Sequence, residues 1–272
     1  MDADIQRYAQ AMPEYGEQLN LLQRILDFQA VLAEKIEPSL RIEPALARKK
    51  WQAGQPLFAG EPLSFPPSLV QKALADLRFL LPPERRAQVA LDRLLASSFL
   101  TPPHMEALLH DLLADSEACI QRLADATSAD FDTMAFLLGT GLSPFFQKLA
   151  APYREWVESA AWRRGLCPMC GSEPWMARLT HEDGRRMLAC ALCHTEWAFD
   201  RLRCPFCESD GQPLLRHFTL GSNEAHRVDC CDRCRRYIKT VDERVSGRRV
   251  NLLVEDVITT HLDVLAREDG YQ

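Results

Sequence analysis

Cys167-Pro168-Met169-Cys170, Cys190-Ala191-Leu192-Cys193, Cys204-Pro205-Phe206-Cys207 and Cys231-Asp232-Arg233-Cys234 are four Cys-x-x-Cys pairs inside one stretch, Gly165 to Lys239. Two residues between cysteines let one tight turn direct both sulfurs, with nearby backbone amides, at a single metal ion. Four such half-sites make two closed tetrahedral centres. The expected ligands are therefore Cys167, Cys170, Cys190, Cys193, Cys204, Cys207, Cys231 and Cys234. Sequential pairing, first knuckle with second and third with fourth, is expected over an interleaved arrangement. Sulfur tetrahedra suit zinc and a single rubredoxin-type iron alike, so the spacing leaves the metal open. Four protein ligands leave no position for a metal-activated water, which argues against hydrolytic chemistry.

The sequence between knuckles repeats. Leu166-Cys167-Pro168-Met169-Cys170 is echoed by Arg203-Cys204-Pro205-Phe206-Cys207, and Gly171 can take the positive φ needed after the second sulfur. A turn at Glu182-Asp183-Gly184 predicts a hairpin in the first unit, and one at Gly221-Ser222-Asn223 a hairpin in the second. Trp197 and Tyr237 follow the second and fourth knuckles. Two tandem modules of this size cannot bury enough surface to fold unaided, so the metals supply folding free energy, on the order of 10–16 kcal/mol for structural zinc in small peptides. Cys230, beside Cys231, is left over as a buried or reactive thiol. His194, His217 and His226 are expected on the surface rather than as ligands.

Upstream, the first ~160 residues read as helical. Leu19, Leu22 and Leu26 recur at helical spacing up to Ile36, where Glu37-Pro38 ends the run. Six prolines between Pro38 and Pro67 predict an irregular tether or wrapping arm. A helix from Ser68 is expected to break at Pro82-Pro83. Thr101-Pro102 opens another, whose stripe runs from Met105 through Leu112 to Leu123. Asp130 caps the next, with a kink or break expected around Gly139, Gly141 and Pro144. Cys119, on the stripe, reads as a small buried hydrophobe. His104 and His110 suit solvated or capping roles, and no catalytic constellation is visible.

The chain has 272 residues, 47% hydrophobic and 26% charged, within the range of a globular protein. Met1-Asp2-Ala3-Asp4 carries no basic region followed by an apolar run, so no signal peptide is expected. Nor does any stretch approach the ~18 apolar residues of a membrane span. A cytoplasmic location follows, where paired cysteines favour metal binding over structural disulfides. The net charge of −6 divides into +4 between Arg163 and Arg249 and −10 elsewhere. A four-thiolate centre with a divalent ion adds about −2, so two of them offset the local excess of arginine.

With these motifs in order, the chain resembles the formate dehydrogenase accessory protein family, FdhE. Trp162 to Pro174 looks like the family's first knuckle, Arg186 to Trp197 its second, and Arg203–Cys207 with Cys231–Lys239 the remaining two. Glu255 to Asp263 resembles its closing helix. The resemblance implies an all-α domain over 1–163, rubredoxin-like modules over 164–201 and 202–248, and a C-terminal helix over 249–272 packed on the helical domain. It also implies a non-catalytic role in maturing respiratory formate dehydrogenase through contact with its catalytic subunit, and it favours iron. Two other readings compete with it. A zinc-ribbon nucleic-acid binder would use Arg233, Arg235, Arg236 and Lys239, and a redox-switched chaperone would exchange metal for disulfides.

Overall fold

The computed structural model describes residues 3–81, 86–158, 162–211, 214–220 and 224–272. The expected features at Pro82-Pro83 and Gly221-Ser222-Asn223 lie outside the described residues.

Among the described residues the first half is built from nine α-helices: α1 (Ala3–Ala11), α2 (Gly16–Ala33), α3 (Pro44–Gln52), α4 (Pro67–Asp76), α5 (Arg86–Ala96), α6 (Pro102–Ala114), α7 (Ser116–Thr127), α8 (Phe131–Ala150) and α9 (Arg154–Glu158). Helix α8 is their axis, because Phe136 to Phe146 carries no charged residue and can be buried on every side. Helices α2, α4, α5 and α7 pack around it. The break expected near Pro144 does not occur. Proline lacks the N–H that would bond the Thr140 carbonyl, and Gln29 Nε2 of α2 donates to that oxygen instead at 3.0 Å. Gly141 serves close packing, since a Cβ there would lie 2.6 Å from Leu74 Cδ2 on α4. The stripe expected through Leu112 to Leu123 is two helices. Asp115 is extended and caps α7 by accepting from Ala118 N at 3.0 Å.

The proline-rich arm is more ordered than its composition indicates. It contains α3, and Trp51, Leu57 and Phe58 are buried. Lys50 Nζ ties the arm's turn by donating to the carbonyls of Leu57 (3.0 Å) and Ala59 (2.8 Å) and pairing with Glu61. The prolines limit the conformations the loop can explore, while the buried aromatics fasten it.

The cysteine-rich half forms one six-stranded sheet from β1 (Pro174–Leu179), β2 (Arg186–Cys190), β3 (Glu196–Ala198), β4 (Leu215–Phe218), β5 (His226–Cys231) and β6 (Arg236–Asp242), in the order β3-β2-β1-β6-β5-β4. Each module contributes three antiparallel neighbours. The first strand of one and the last of the other join in parallel, from Met176↔Lys239 to Leu179↔Asp242. A short α10 (Glu243–Ser246) leads to α11 (Leu252–Ile258) and α12 (Thr260–Glu268), which meet at Thr259. Helix α11 packs on α1, α2 and β1, where Ile5, Leu19, Val254 and Ile258 form a small core. Helix α12 covers β5 and β6. Among the described residues no helix is long and apolar enough to cross a membrane.

Buried charges fasten these junctions. Glu255 of α11, 1% exposed, takes Tyr8 of α1 (2.9 Å) and His226 of β5 (2.6 Å). Lys239 of β6 reaches Asp263 of α12 at 2.7 Å. Breaking one such pair leaves an uncompensated buried charge, which typically costs about 3–5 kcal/mol.

Candidate metal centres

The eight expected ligands converge in two sets of four. In each, the sulfurs of Cys167, Cys170, Cys190 and Cys193, or of Cys204, Cys207, Cys231 and Cys234, all lie within 4.8 Å of one another. First and second knuckles share one centre, third and fourth the other. In the first centre Cys167–Cys193 and Cys170–Cys190 are 3.5 and 3.3 Å apart. In the second, Cys204–Cys234 and Cys207–Cys231 are both 3.7 Å apart. A tetrahedron with metal–sulfur bonds of ~2.3 Å has edges near ~3.8 Å, so either set can hold one ion of zinc or iron size.

All four knuckles are built the same way. The residue after the second cysteine is left-handed in each: Gly171 (φ 80°), His194 (54°), Glu208 (55°) and Arg235 (59°). Only the first is glycine, so the turn imposes this conformation on three ordinary side chains. The amide of that residue returns to the first cysteine's carbonyl in three knuckles, as Gly171 N to Cys167 O (3.0 Å), Glu208 N to Cys204 O (3.0 Å) and Arg235 N to Cys231 O (2.8 Å). Amides of Met169, Leu192 and Cys193 point at sulfur at 3.3–3.4 Å. Such donors favour thiolate over thiol.

One recurring feature was not singled out from the sequence. The second residue after the closing cysteine is a hydroxyl amino acid in three knuckles, Ser172, Thr195 and Ser209, with its oxygen 3.4, 3.2 and 3.0 Å from Cys170, Cys193 and Cys207 Sγ. The signal is Cys-x-x-Cys-x-Ser/Thr. Its fourth counterpart, Arg236, has no hydroxyl. Contacts of this kind orient the ligands and spread their charge.

The electrostatics fit a cation. Burial opposes ionisation of Cys193, but its neighbouring thiols and the Thr195 hydroxyl outweigh it and hold the pKa well below the usual thiol value. Burial pushes Cys167 and Cys190 up. In the second centre, burial again opposes Cys207, yet the Ser209 hydroxyl and amide and the nearby thiols bring it down to about 6. Burial raises Cys204. Cys193 and Cys207 thus sit where their surroundings favour thiolate, the form that binds a metal ion.

The centres differ in their surroundings. The four cysteines of the first are buried, and they share a continuous core with the helical half. The proline-rich arm closes over this knuckle: Leu57 N and Trp51 Nε1 both donate to Pro168 O at 2.8 Å, and Phe58 N to Met169 O at 2.9 Å. In the second, Cys207 and Cys234 are half-buried. The two centres abut at Gly165, whose N–H donates to Glu208 Oε1 at 3.0 Å. A Cβ on Gly165 would sit 1.7 Å from the Pro205 carbonyl oxygen.

The remaining candidates fall outside both sets. His194 is not a surface residue: it is half-buried, with its ring 5.5 Å from that of Trp175, and burial lowers its pKa. His226 is likewise engaged, with Glu255. His217 is exposed as expected, and His104 bonds Thr101 Oγ1 at 2.8 Å. Cys119 is buried. Cys230 is a buried thiol under α12, packed with Val228, Leu262 and Tyr271, and burial pushes its pKa up to about 12.

Residues 166–201 match the family model described as FdhE, central domain. An FdhE homolog of Aquifex aeolicus is 30% identical over 143 residues, covering 52% of this chain and 50% of that protein. Escherichia coli FdhE is 28% identical over 169 residues, 57% of this chain and 53% of the other. The matched region thus spans about half the length of these relatives. The fold is that of the Pseudomonas aeruginosa FdhE crystal structure, with a TM-score of 0.70 at 23% identity over 99% of this chain and 90% of that one. Taken with the two four-cysteine sets, these matches make the chain similar in sequence to FdhE proteins over about half its length and similar in fold to one of them over nearly its whole length.

Proposed function

We propose that this chain is a non-catalytic accessory factor that acts in the cytoplasm on the catalytic subunit of formate dehydrogenase during its maturation. The observation that carries this reading is the closure of both metal centres. Each set offers four protein sulfurs, and the first is buried beneath the helical half. A metal so enclosed folds and stiffens its surroundings and leaves no position for substrate. Function then lies on the surface held by the helical unit (1–163), the two rubredoxin-like modules (164–201 and 202–248) and the terminal segment (249–272).

A cleft of about 630 Å³ lies where these units meet, with Ile120 and Leu138 on the helical side, Leu192 on the second knuckle, and Arg236 and Tyr271 opposite. Its mixed apolar and charged lining suits a polypeptide segment. Three of the four basic residues that favour a nucleic-acid reading are occupied, and the fourth, Arg233, is exposed. Arg236 bonds Glu173, Arg235 stacks on Tyr271 and pairs with Asp232, and Lys239 is buried against Asp263. The redox reading loses its motivation in the same way, because Cys230 is enclosed.

The test is co-purification of the tagged chain with the formate dehydrogenase catalytic subunit, paired with formate dehydrogenase activity in a deletion strain. Association and lost activity are expected; no association together with normal activity overturns the proposal. Iron is the metal favoured by family resemblance, with zinc the alternative. Metal analysis and an absorption spectrum of protein purified without oxygen separate them, because a ferric four-thiolate centre is strongly coloured.

A further inference from the structure

A second cavity, about 180 Å³, lies between the modules, bounded by β2, the linker 201–206, β4 and β5. Six arginines line it: Arg186, Arg201, Arg203, Arg216, Arg227 and Arg236. Among the described residues Asp229 is the one lining carboxylate. Three of the six are matched by acids beyond the lining, Arg203 by Glu208 (3.0 Å), Arg216 by Asp232 (2.8 Å) and Arg236 by Glu173. Arg186, Arg201 and Arg227 remain with Asp229 alone, a surplus of two positive charges.

Arg186 shows that the cavity lacks an acceptor. It is 2% exposed, and its Nη1 donates to Arg203 O at 3.1 Å. Its Nε and Nη2 have no hydrogen-bond partner among the described residues. Asp229 cannot supply one, because it is 3.7 Å from Nη2 and already accepts from Thr240 Oγ1 (2.6 Å) and Arg227 Nη2 (3.3 Å). A buried guanidinium with two idle donors is costly unless an acceptor fills the space.

We propose that this cavity binds the phosphate group of a small phosphorylated molecule. Two surplus charges match a phosphate dianion, and planar guanidinium forks suit its oxygens. The volume is below that of a site for a whole drug-sized ligand, so the cavity takes the anionic group while the rest of the molecule extends outside. The second metal centre is the other source of negative charge here, since Cys204 and Cys231 line the same cavity. Charge balance across space leaves the donors of Arg186 unbonded, however, and neither Nε nor Nη2 reaches a cysteine sulfur.

The test titrates inorganic phosphate, and separately acetate, into the full-length chain of measured metal content, at about pH 7.5 where phosphate is largely dianionic and at fixed ionic strength. Calorimetry and the phosphorus resonance report binding. Saturable binding of phosphate, tighter than that of acetate, is expected. Arg201→Gln, on an exposed side chain, should weaken it roughly tenfold, and Arg186→Met should abolish it with the metal content unchanged. Saturable binding of acetate but not phosphate overturns the assignment, as does binding of neither. It also fails if Arg186→Met sheds metal from the second centre while Arg201→Gln binds phosphate like the parent, for the arginines then serve the thiolates.

Discussion

Gly165→Ala is the sharpest probe of how the two metal modules abut. The new methyl carbon would lie 1.7 Å from Pro205 O, 2.6 Å from its carbonyl carbon and 2.9 Å from its Cα. Carbon–oxygen contacts settle near ~3.3 Å, so the third knuckle must retreat by roughly 1.6 Å. The obstacle is backbone, which cannot swing aside as a side chain would. Overpacking of this kind costs about 1–3 kcal/mol, and a main-chain clash belongs at the upper end. Alanine also restricts the unfolded chain, which returns about 0.4–1 kcal/mol. The net expectation is about 2 kcal/mol of destabilisation, a fall of roughly 4–8 °C in melting temperature for a chain of this size. Because Pro205 lies between Cys204 and Cys207, the variant should also release metal from the second centre sooner under a chromogenic chelator, with the first centre following at the parent rate. A variant that melts and releases both metals like the parent would refute the close approach of the modules.

Three further outcomes are expected. Cys170→Ser and Cys207→Ser should each bring the metal content from two ions per chain towards one, whereas Cys119→Ser and Cys230→Ser should leave it at two by elemental analysis. Trp51→Phe removes the indole bond to Pro168 O, but Leu57 N still satisfies that carbonyl; the loss should be about 1 kcal/mol, against about 3–5 kcal/mol for Trp51→Ala, both read by denaturant midpoints and by metal release from the first centre. Burial, with His226 and Lys239 nearby, lowers the pKa of His261, so the folded state resists a proton that the unfolded chain accepts below about pH 6.5. Stability should therefore fall as pH drops through that value, and His261→Gln should remove this part of the loss in urea titrations at high and low pH.

The metal half was legible because its signal is local. A Cys-x-x-Cys turn specifies its own geometry, and repetition of the knuckle announced both modules and their sequential pairing. The hydroxyl two residues on was equally local, and needed only three knuckles to be compared. What escaped is non-local. Nothing in Met176–Leu179 announces a parallel partner in Lys239–Asp242, since strand pairing depends on neighbours far along the chain. Pro144 read as a break because its missing donor is visible in sequence, whereas the replacement from Gln29 is not. Prolines likewise made the arm look loose, when Trp51, Leu57 and Phe58 fasten it to the first knuckle. The burial of Glu255 and Lys239 was equally hidden, because their partners His226 and Asp263 come from other elements of the fold.

The parallel junction of β1 and β6 bears on how the chain is made. Leu179 leaves the ribosome about 63 residues before its partner Asp242, a wait of roughly 3–13 s at ordinary synthesis rates. The first module can close around its metal once Cys193 emerges, but one edge of β1 stays unpaired through that interval. An open strand edge invites pairing with another chain. The second module is therefore the intramolecular cap for the first, and a nascent chain stalled between the two is the species most exposed to aggregation.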